Sequence, residues 1–203
     1  VRLFVALEIP AVVRDNLAAF IKDTKSDTQR DMKKDTRELS EQLAEKRVRW
    51  LRPENLHVTL KFIGEVADAR VEGIRGALST VHAEAPLDLR FRGLGFFPNK
   101  NRPTVLWTGL GASADLPSLA GDIDRALATQ GIAKEKRAFV PHLTLARFTS
   151  PGLHEKLRAA IRKNSQREFG SFQAREFHLI ESNLKPSGAE YTSLASFPFT
   201  MEA

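Results

Sequence analysis

The sequence predicts a single α+β domain, residues 1–203, built as two pseudo-symmetric lobes whose central strands each carry a histidine and a threonine. Three observations predict it. His57-Val58-Thr59-Leu60 and His142-Leu143-Thr144-Leu145 repeat one pattern, and each continues into a basic residue and a phenylalanine, Lys61-Phe62 and Arg147-Phe148. The flanking segments repeat in one order (helix, short strand, histidine strand, helix, strand, strand) over halves spanning approximately 11–110 and 113–200. With two copies of so long a unit, the pattern is a duplicated domain with its histidine strands meeting in the middle, not a stacked solenoid.

The elements follow in chain order. Leu3, Val5 and Leu7 alternate with Arg2, Phe4, Ala6 and Glu8, which predicts a strand covered on both faces because Phe4 and Ala6 are also apolar. Pro10 suits a helix start, and Val13, Leu17, Phe20 and Ile21 form its buried stripe. From Lys22 to Arg47 charges of both signs dominate, and the apolar residues thin to Met32, Leu39, Leu43 and Ala44. This insertion, approximately 22–47, reads as one long helix or two helices broken near Thr24 to Gln29. Asp23, Asp27, Asp31 and Asp35 align on one helical face. A metal site is conceivable there, but pairs such as Asp27 with Arg30 and Asp31 with Lys34 assign that face to solvent.

Arg47 to Leu51 is a short strand, and Arg52-Pro53-Glu54-Asn55 a turn into the first histidine strand, which Gly64 ends. A helix is expected from about Ala67 to Ala83, then an alternation through Leu87, Leu89 and Phe91, a loop Asn99 to Pro103 and a strand Thr104 to Leu110. A second helix, Leu116 to Gln130, stops at Gly131 as a glycine C-cap. A short extended piece leads through Pro141 to the second histidine strand; a helix near Leu153 to Asn164 and strands near Phe172 to Glu181 and Glu190 to Phe197 complete the chain.

The 42% hydrophobic and 28% charged residues are those of a soluble globular chain. No apolar run approaches the roughly 20 residues of a membrane span, and the opening residues, meeting Glu8 and Pro10, do not read as a secretory leader. The absence of cysteine excludes disulfides, thiolate catalysis and cysteine-ligated zinc, and predicts a cytoplasmic protein. A net charge of +6 favours an anionic partner.

On a strand, side chains alternate faces with a period of two, so His57 shares a face with Thr59, and His142 with Thr144. An imidazole beside a hydroxyl is a proton carrier beside a hydrogen-bond donor for an anion. Two such strands across a cleft suit in-line displacement at phosphorus, with one histidine taking a proton from the attacking oxygen while the other protonates the leaving oxygen. A lone His-x-Thr is a chance event in any strand, and the repetition argues otherwise. Trp50, Phe97 and Trp107 are aromatic surfaces on which a base could stack, but core packing is the expectation for all three. Arg102 is expected to face water, and His82, His154 and His178 to be surface or helix-end residues. The histidine motifs carry no carboxylate at ligand spacing, which disfavours a two-metal nuclease.

The strand Arg2-Leu3-Phe4-Val5-Ala6, the approach Val48-Arg49-Trp50-Leu51-Arg52-Pro53-Glu54-Asn55-Leu56, both histidine motifs through Arg147, and Glu181-Ser182 with Tyr191 resemble the 2H phosphoesterase superfamily. Within it they are most similar to the RNA 2',3'-cyclic phosphodiesterases, historically called 2'-5' RNA ligases. The resemblance spans nearly the whole chain and departs at Lys22 to Arg47, longer and more charged than the family pattern. It implies two lobes, each an antiparallel sheet with outer helices, around a central cleft. It implies hydrolysis of RNA 2',3'-cyclic phosphate ends to 2'-phosphates by a monomer without metal or other cofactor, with reversible 2'-5' joining in some members. By that pattern His57 is the proton donor, His142 the proton acceptor, and Thr59, Thr144 and Arg147 contact the phosphate. In a flat strand Arg147, an odd offset from Thr144, would point away from it; it serves only if the strand ends or bulges there. The rival readings are 2'-5' RNA ligation as the main activity and a non-catalytic nucleotide- or RNA-binding module of the same fold.

Overall fold

The computed structural model describes residues 1–30, 48–83, 86–99, 101–112, 115–149, 155–186 and 188–200. His154, Asp31, Asp35 and most of the charged insertion lie outside the described residues.

Among the described residues nine strands form two antiparallel sheets. They are β1 (Arg2–Glu8), β2 (Val48–Trp50), β3 (His57–Glu65), β4 (Leu87–Phe97), β5 (Val105–Ala112), β6 (His142–Phe148), β7 (Glu168–Ala174), β8 (Glu176–Lys185) and β9 (Gly188–Pro198). The four-stranded sheet runs β3-β1-β8-β9 and the five-stranded sheet β2-β6-β5-β4-β7. Among the described residues four α-helices accompany them: α1 (Ala11–Arg30), α2 (Val71–Leu78), α3 (Asp115–Ala128) and α4 (Glu155–Lys163). The α+β architecture is the expected one. Each sheet draws strands from both sequence halves, so neither sheet is a contiguous stretch of chain.

Alternation in β1 works as the sequence predicts. Leu3, Val5 and Leu7 enter the main core, while Phe4 and Ala6 join Ile180 and Tyr191 in a second, smaller apolar cluster on the other face. In α1, Val13, Leu17, Phe20 and Ile21 are all buried. The helix passes unbroken through Thr24 to Gln29, since nothing from Ala11 to Arg30 is glycine or proline, and Thr24 is itself buried. It packs on β7 of the five-stranded sheet, where Asn16 Nδ2 donates to Phe169 O at 3.0 Å and the Phe20 and Phe169 rings meet edge-on at 5.4 Å. Helix α3 instead packs on β3 of the other sheet, ending at Gly131, whose φ of +71° is the left-handed cap conformation that its sequence position predicts.

Two expected strands change. The single strand near Phe172 to Glu181 is two, β7 and β8, which part at Arg175 and enter different sheets. The piece before Pro141 is irregular; the edge of the five-stranded sheet beside β6 is occupied by β2, and residues 133–138 are exposed. That exchange positions the site. Strand β2 pairs with β6 and Leu51 N still bonds Leu145 O at 2.9 Å, yet after a single 3-10 turn, Pro53–Asn55, the chain enters β3 of the opposite sheet. The two histidine strands are thereby held in contact.

Candidate active site

Each histidine is held by the same bond. His57 Nδ1 lies 2.7 Å from Asn55 O, and His142 Nδ1 lies 2.7 Å from Val140 O, in both cases the carbonyl two residues earlier. A carbonyl only accepts, so each Nδ1 carries the proton and each neutral ring presents its Nε2 lone pair. Among the described residues neither Nε2, nor the hydroxyl of Thr59 or Thr144, nor the Arg147 guanidinium is committed to a partner.

Both strands carry a β-bulge at the same place. Opposite β1, Ala6 pairs with Thr59 but Val5 with Lys61, so Leu60 is the extra residue; opposite β5, Trp107 pairs with Thr144 but Leu106 with Ala146, so Leu145 is the extra residue. Burial follows: Leu60 and Lys61 are both buried, as are Leu145 and Ala146, and the next residue in each strand is exposed. The bulge resets the alternation and returns the fifth residue after each histidine to the face of the His and Thr. That residue is Arg147 on β6, which meets the condition its odd offset set. On β3 it is Phe62.

The apparent match of Lys61-Phe62 with Arg147-Phe148 is therefore displaced by one position. Lys61 points inward, where its Nζ bonds Asp124 Oδ1 at 2.6 Å and Ala133 O at 2.7 Å, a structural ion pair that anchors α3 to β3. Its spatial counterpart on β6 is Ala146, not Arg147.

Electrostatics draw the site together. Burial pushes the His57 imidazole down from 6.5 to about 4, opposed by its bond to Asn55 and assisted by the Arg147 charge. His142 is lowered by burial and by the same arginine, against its bond to Val140. Burial raises the Tyr191 phenol above its ordinary value, while Arg147 and Arg2 pull it down. One guanidinium is thus felt by both histidines and by a tyrosine on β9, the opposite edge strand of the four-stranded sheet.

Aromatic rings wall both histidines. The Phe4 and Tyr191 centroids lie 4.7 and 5.3 Å from that of His57, and Phe97 and Trp107 lie 4.9 and 6.4 Å from that of His142. Phe97 and Trp107 are half-buried and outside the main core cluster, which corrects their assignment to core packing; the bulged register of β6 turns Trp107 onto the face of Thr144. Trp50 does pack against the core. His178 is not a surface residue: it lies on β8, only 8% exposed, with Nδ1 3.4 Å from Ser193 Oγ. His82 and Arg102 are exposed, as expected. Phe4 and Tyr191 are the wall residues that sequence reasoning left without a role; the only signal for Phe4 was that both faces of β1 are apolar.

Comparison with known proteins decides the family. The model of the LigT-like phosphoesterases matches residues 23–107 and again 111–191. The chain belongs to the LigT-like phosphoesterase family. Curated relatives named RNA 2',3'-cyclic phosphodiesterase include one from Methanocaldococcus jannaschii, 31% identical over 94% of this chain and 96% of that protein. Another, from Archaeoglobus fulgidus, is 33% identical over 97% and 99%. Among solved structures, TT0787 of Thermus thermophilus superposes with a TM-score of 0.72 at 27% identity, covering 100% of both chains. Apo LigT of E. coli, at 22% identity and a TM-score of 0.69 over 98% of this chain and 97% of that one, shares the LigT-like fold.

Proposed function

We propose that this LigT-like phosphoesterase hydrolyses RNA 2',3'-cyclic phosphate ends to 2'-phosphomonoesters, acting as a metal-free, two-histidine acid/base catalyst. The observation that carries the reading is the matched pair of His-x-Thr strands, each histidine bonded through Nδ1 to the carbonyl two residues back and each Nε2 uncommitted among the described residues. The names of the curated relatives supply the substrate class. His142 Nε2 takes a proton from water as its oxygen attacks phosphorus; the P–O3' bond breaks opposite the new bond, and protonated His57 Nε2 delivers its proton to the 3' oxygen. Thr59, Thr144 and Arg147 hold the non-bridging oxygens, the arginine offering a two-pronged donor suited to phosphate. The phosphate monoanion favours the protonated form of a neighbouring imidazole, which supplies the acid that burial withholds from the free protein.

The test is hydrolysis of an oligoribonucleotide ending in a 2',3'-cyclic phosphate, in excess EDTA, by the native protein, His57→Ala and His142→Ala. Each histidine is worth about 10²- to 10⁴-fold, so a 2'-phosphate product should fall by that factor in either variant. Binding of the oligonucleotide without turnover by the native chain would instead establish a binding module. Joining a 2',3'-cyclic phosphate end to a 5'-hydroxyl end in the same assay reads out 2'-5' ligation, in which the 5'-hydroxyl replaces water as the nucleophile.

A further inference from the structure

The face of the five-stranded sheet that carries His142 and Thr144 continues beyond them. Gly109 of β5 is paired with His142 on one side and with Arg92 of β4 on the other, so the three share a row across the sheet. In the next row Gly111 is paired with Arg90. Arg147 is paired with Val105, at the other end of β5. We infer that the strip from His142 across Gly109 and Gly111 to Arg92 and Arg90 is a second phosphate-binding region, which holds the single-stranded RNA that precedes the reacting end. This rests on the proposed reaction and extends it from the terminal nucleotide to the strand behind it.

Directly paired residues of an antiparallel sheet point to one face, so both arginines project from the face of the histidine. Both are exposed, and among the described residues neither guanidinium has a hydrogen bond or an ion pair. The carboxylates of that face do not neutralise them. Glu168 is paired with Arg92 across β7 without bonding to it, and Asp88 is bonded through Oδ1 to Gln173 Nε2 at 3.0 Å. Two cations are therefore held on the cleft side of the sheet with nothing to answer them.

The floor between them and His142 is bare. A Cβ on Gly109 would lie 2.7 Å from Arg92 O, so the backbone itself demands glycine there. A Cβ on Gly111 would meet only Arg90 O, at 3.7 Å, an ordinary contact; packing does not require glycine at 111, and its effect is to leave the floor open. An open depression of about 540 Å³ lies there, lined by Arg90, Gly111, Ser171 and Gln173 among others. Neighbouring strands are about 4.8 Å apart, so the Arg92 backbone stands roughly 10 Å from that of His142, a span that an extended strand covers within a couple of nucleotides. A mononucleotide seated at the histidines has no phosphate to offer the strip, whereas an oligonucleotide does. Contacts of this kind read the backbone and not the bases, so they favour a longer strand of any sequence.

The discriminating quantity is the ratio of kcat/KM for a triadenylate ending in a 2',3'-cyclic phosphate to that for adenosine 2',3'-cyclic phosphate. The native chain should prefer the triadenylate, and the preference should fade as salt rises. Arg90→Gln and Arg92→Gln should each lower the ratio several-fold and flatten the slope of log kcat/KM against log salt for the triadenylate by about 0.7. Gly111→Leu, which leaves both charges in place and raises a side chain in the strip, should lower the ratio as well. A native ratio near one, or a ratio unmoved in Arg90→Gln combined with Arg92→Gln, overturns the strip. A native chain that turns over neither compound refutes the proposed reaction, and the strip is then read by fluorescence anisotropy of a labelled oligoadenylate. The native chain should bind it and the double variant roughly tenfold more weakly; no binding by the native chain, or equal binding by both, overturns the strip. Both arginines are exposed, so the fold should survive their replacement, which circular dichroism checks.

Discussion

Asn55 binds His57 with its backbone while its side chain is bound elsewhere. Its carbonyl accepts a hydrogen bond from His57 Nδ1 at 2.7 Å and its Nδ2 donates to Ala189 O, also at 2.7 Å, so the first histidine is referred to strand β9 as well as to its own strand. Val140, which plays the same part for His142, is 48% exposed and has no side-chain tether. Asn55→Ala keeps the carbonyl and cuts the tether. It should cost about 1 kcal/mol of stability and lower kcat several-fold with little change in KM, whereas Val140→Ala should be nearly silent. Urea denaturation and steady-state kinetics on the two variants check the asymmetry; equal effects would refute it.

Both histidines are depressed, so in the free protein both are neutral at pH 7. Because kcat/KM reports the free protein and kcat the complex, kcat/KM should peak below pH 6.5 and kcat at a higher pH, where bound phosphate raises the acid. Coincident maxima near neutrality would contradict this. Stability carries the matching sign. The folded value of His57, about 4, lies below its unfolded 6.5, so the unfolded chain binds the extra proton between them. The contribution is whole above pH 6.5, is lost as pH falls toward 4, and is constant below that.

Arg147 lowers both histidines and the Tyr191 phenol, so removing its charge should raise all three. In Arg147→Ala the imidazole titrations followed by NMR should move to higher pH, and KM should rise through lost phosphate contacts. Arg147→Lys should keep the depressed histidine values but not the affinity, since a lysine lacks the fork. Unmoved titrations in Arg147→Ala would mean the guanidinium does not act on the cleft.

Lys61 and Asp124 form a pair whose partners are 5% and 18% exposed. Burial raises the Asp124 carboxyl, but its hydrogen bonds with Lys61 and the Glu135 amide and the Lys61 and Lys134 charges outweigh that and hold it below its ordinary value. Lys61→Met should therefore destabilise by about 3 kcal/mol through the carboxylate left without its partner, and Lys61→Met with Asp124→Leu should recover most of the loss. Chemical denaturation of the two variants measures it; a double variant no better than the single would show that packing, not charge, holds α3 to β3.

The local code of this chain is strong where periodicity is clean. The period-two pattern of β1, the α1 stripe at Val13, Leu17, Phe20 and Ile21, the Gly131 cap and the His-x-Thr repeat each follow from a few neighbouring residues, and with them the α+β class and the candidate proton carriers. The displacement of Lys61-Phe62 against Arg147-Phe148, the split of β7 from β8 at Arg175, and the burial of His178 did not follow. A bulge is decided by the partner strand, and the match of a basic residue and phenylalanine in both copies hid the extra residue at Leu60 and Leu145. Strand β2 crosses to β6, a choice made by edge pairing between segments 96 to 100 residues apart, which no local pattern encodes. The sequence by itself determined which residues could carry protons; only the tertiary structure decided that Arg147 and Phe62, and not Lys61, share their face, because the sense of a strand's alternation is set by what lies beside it.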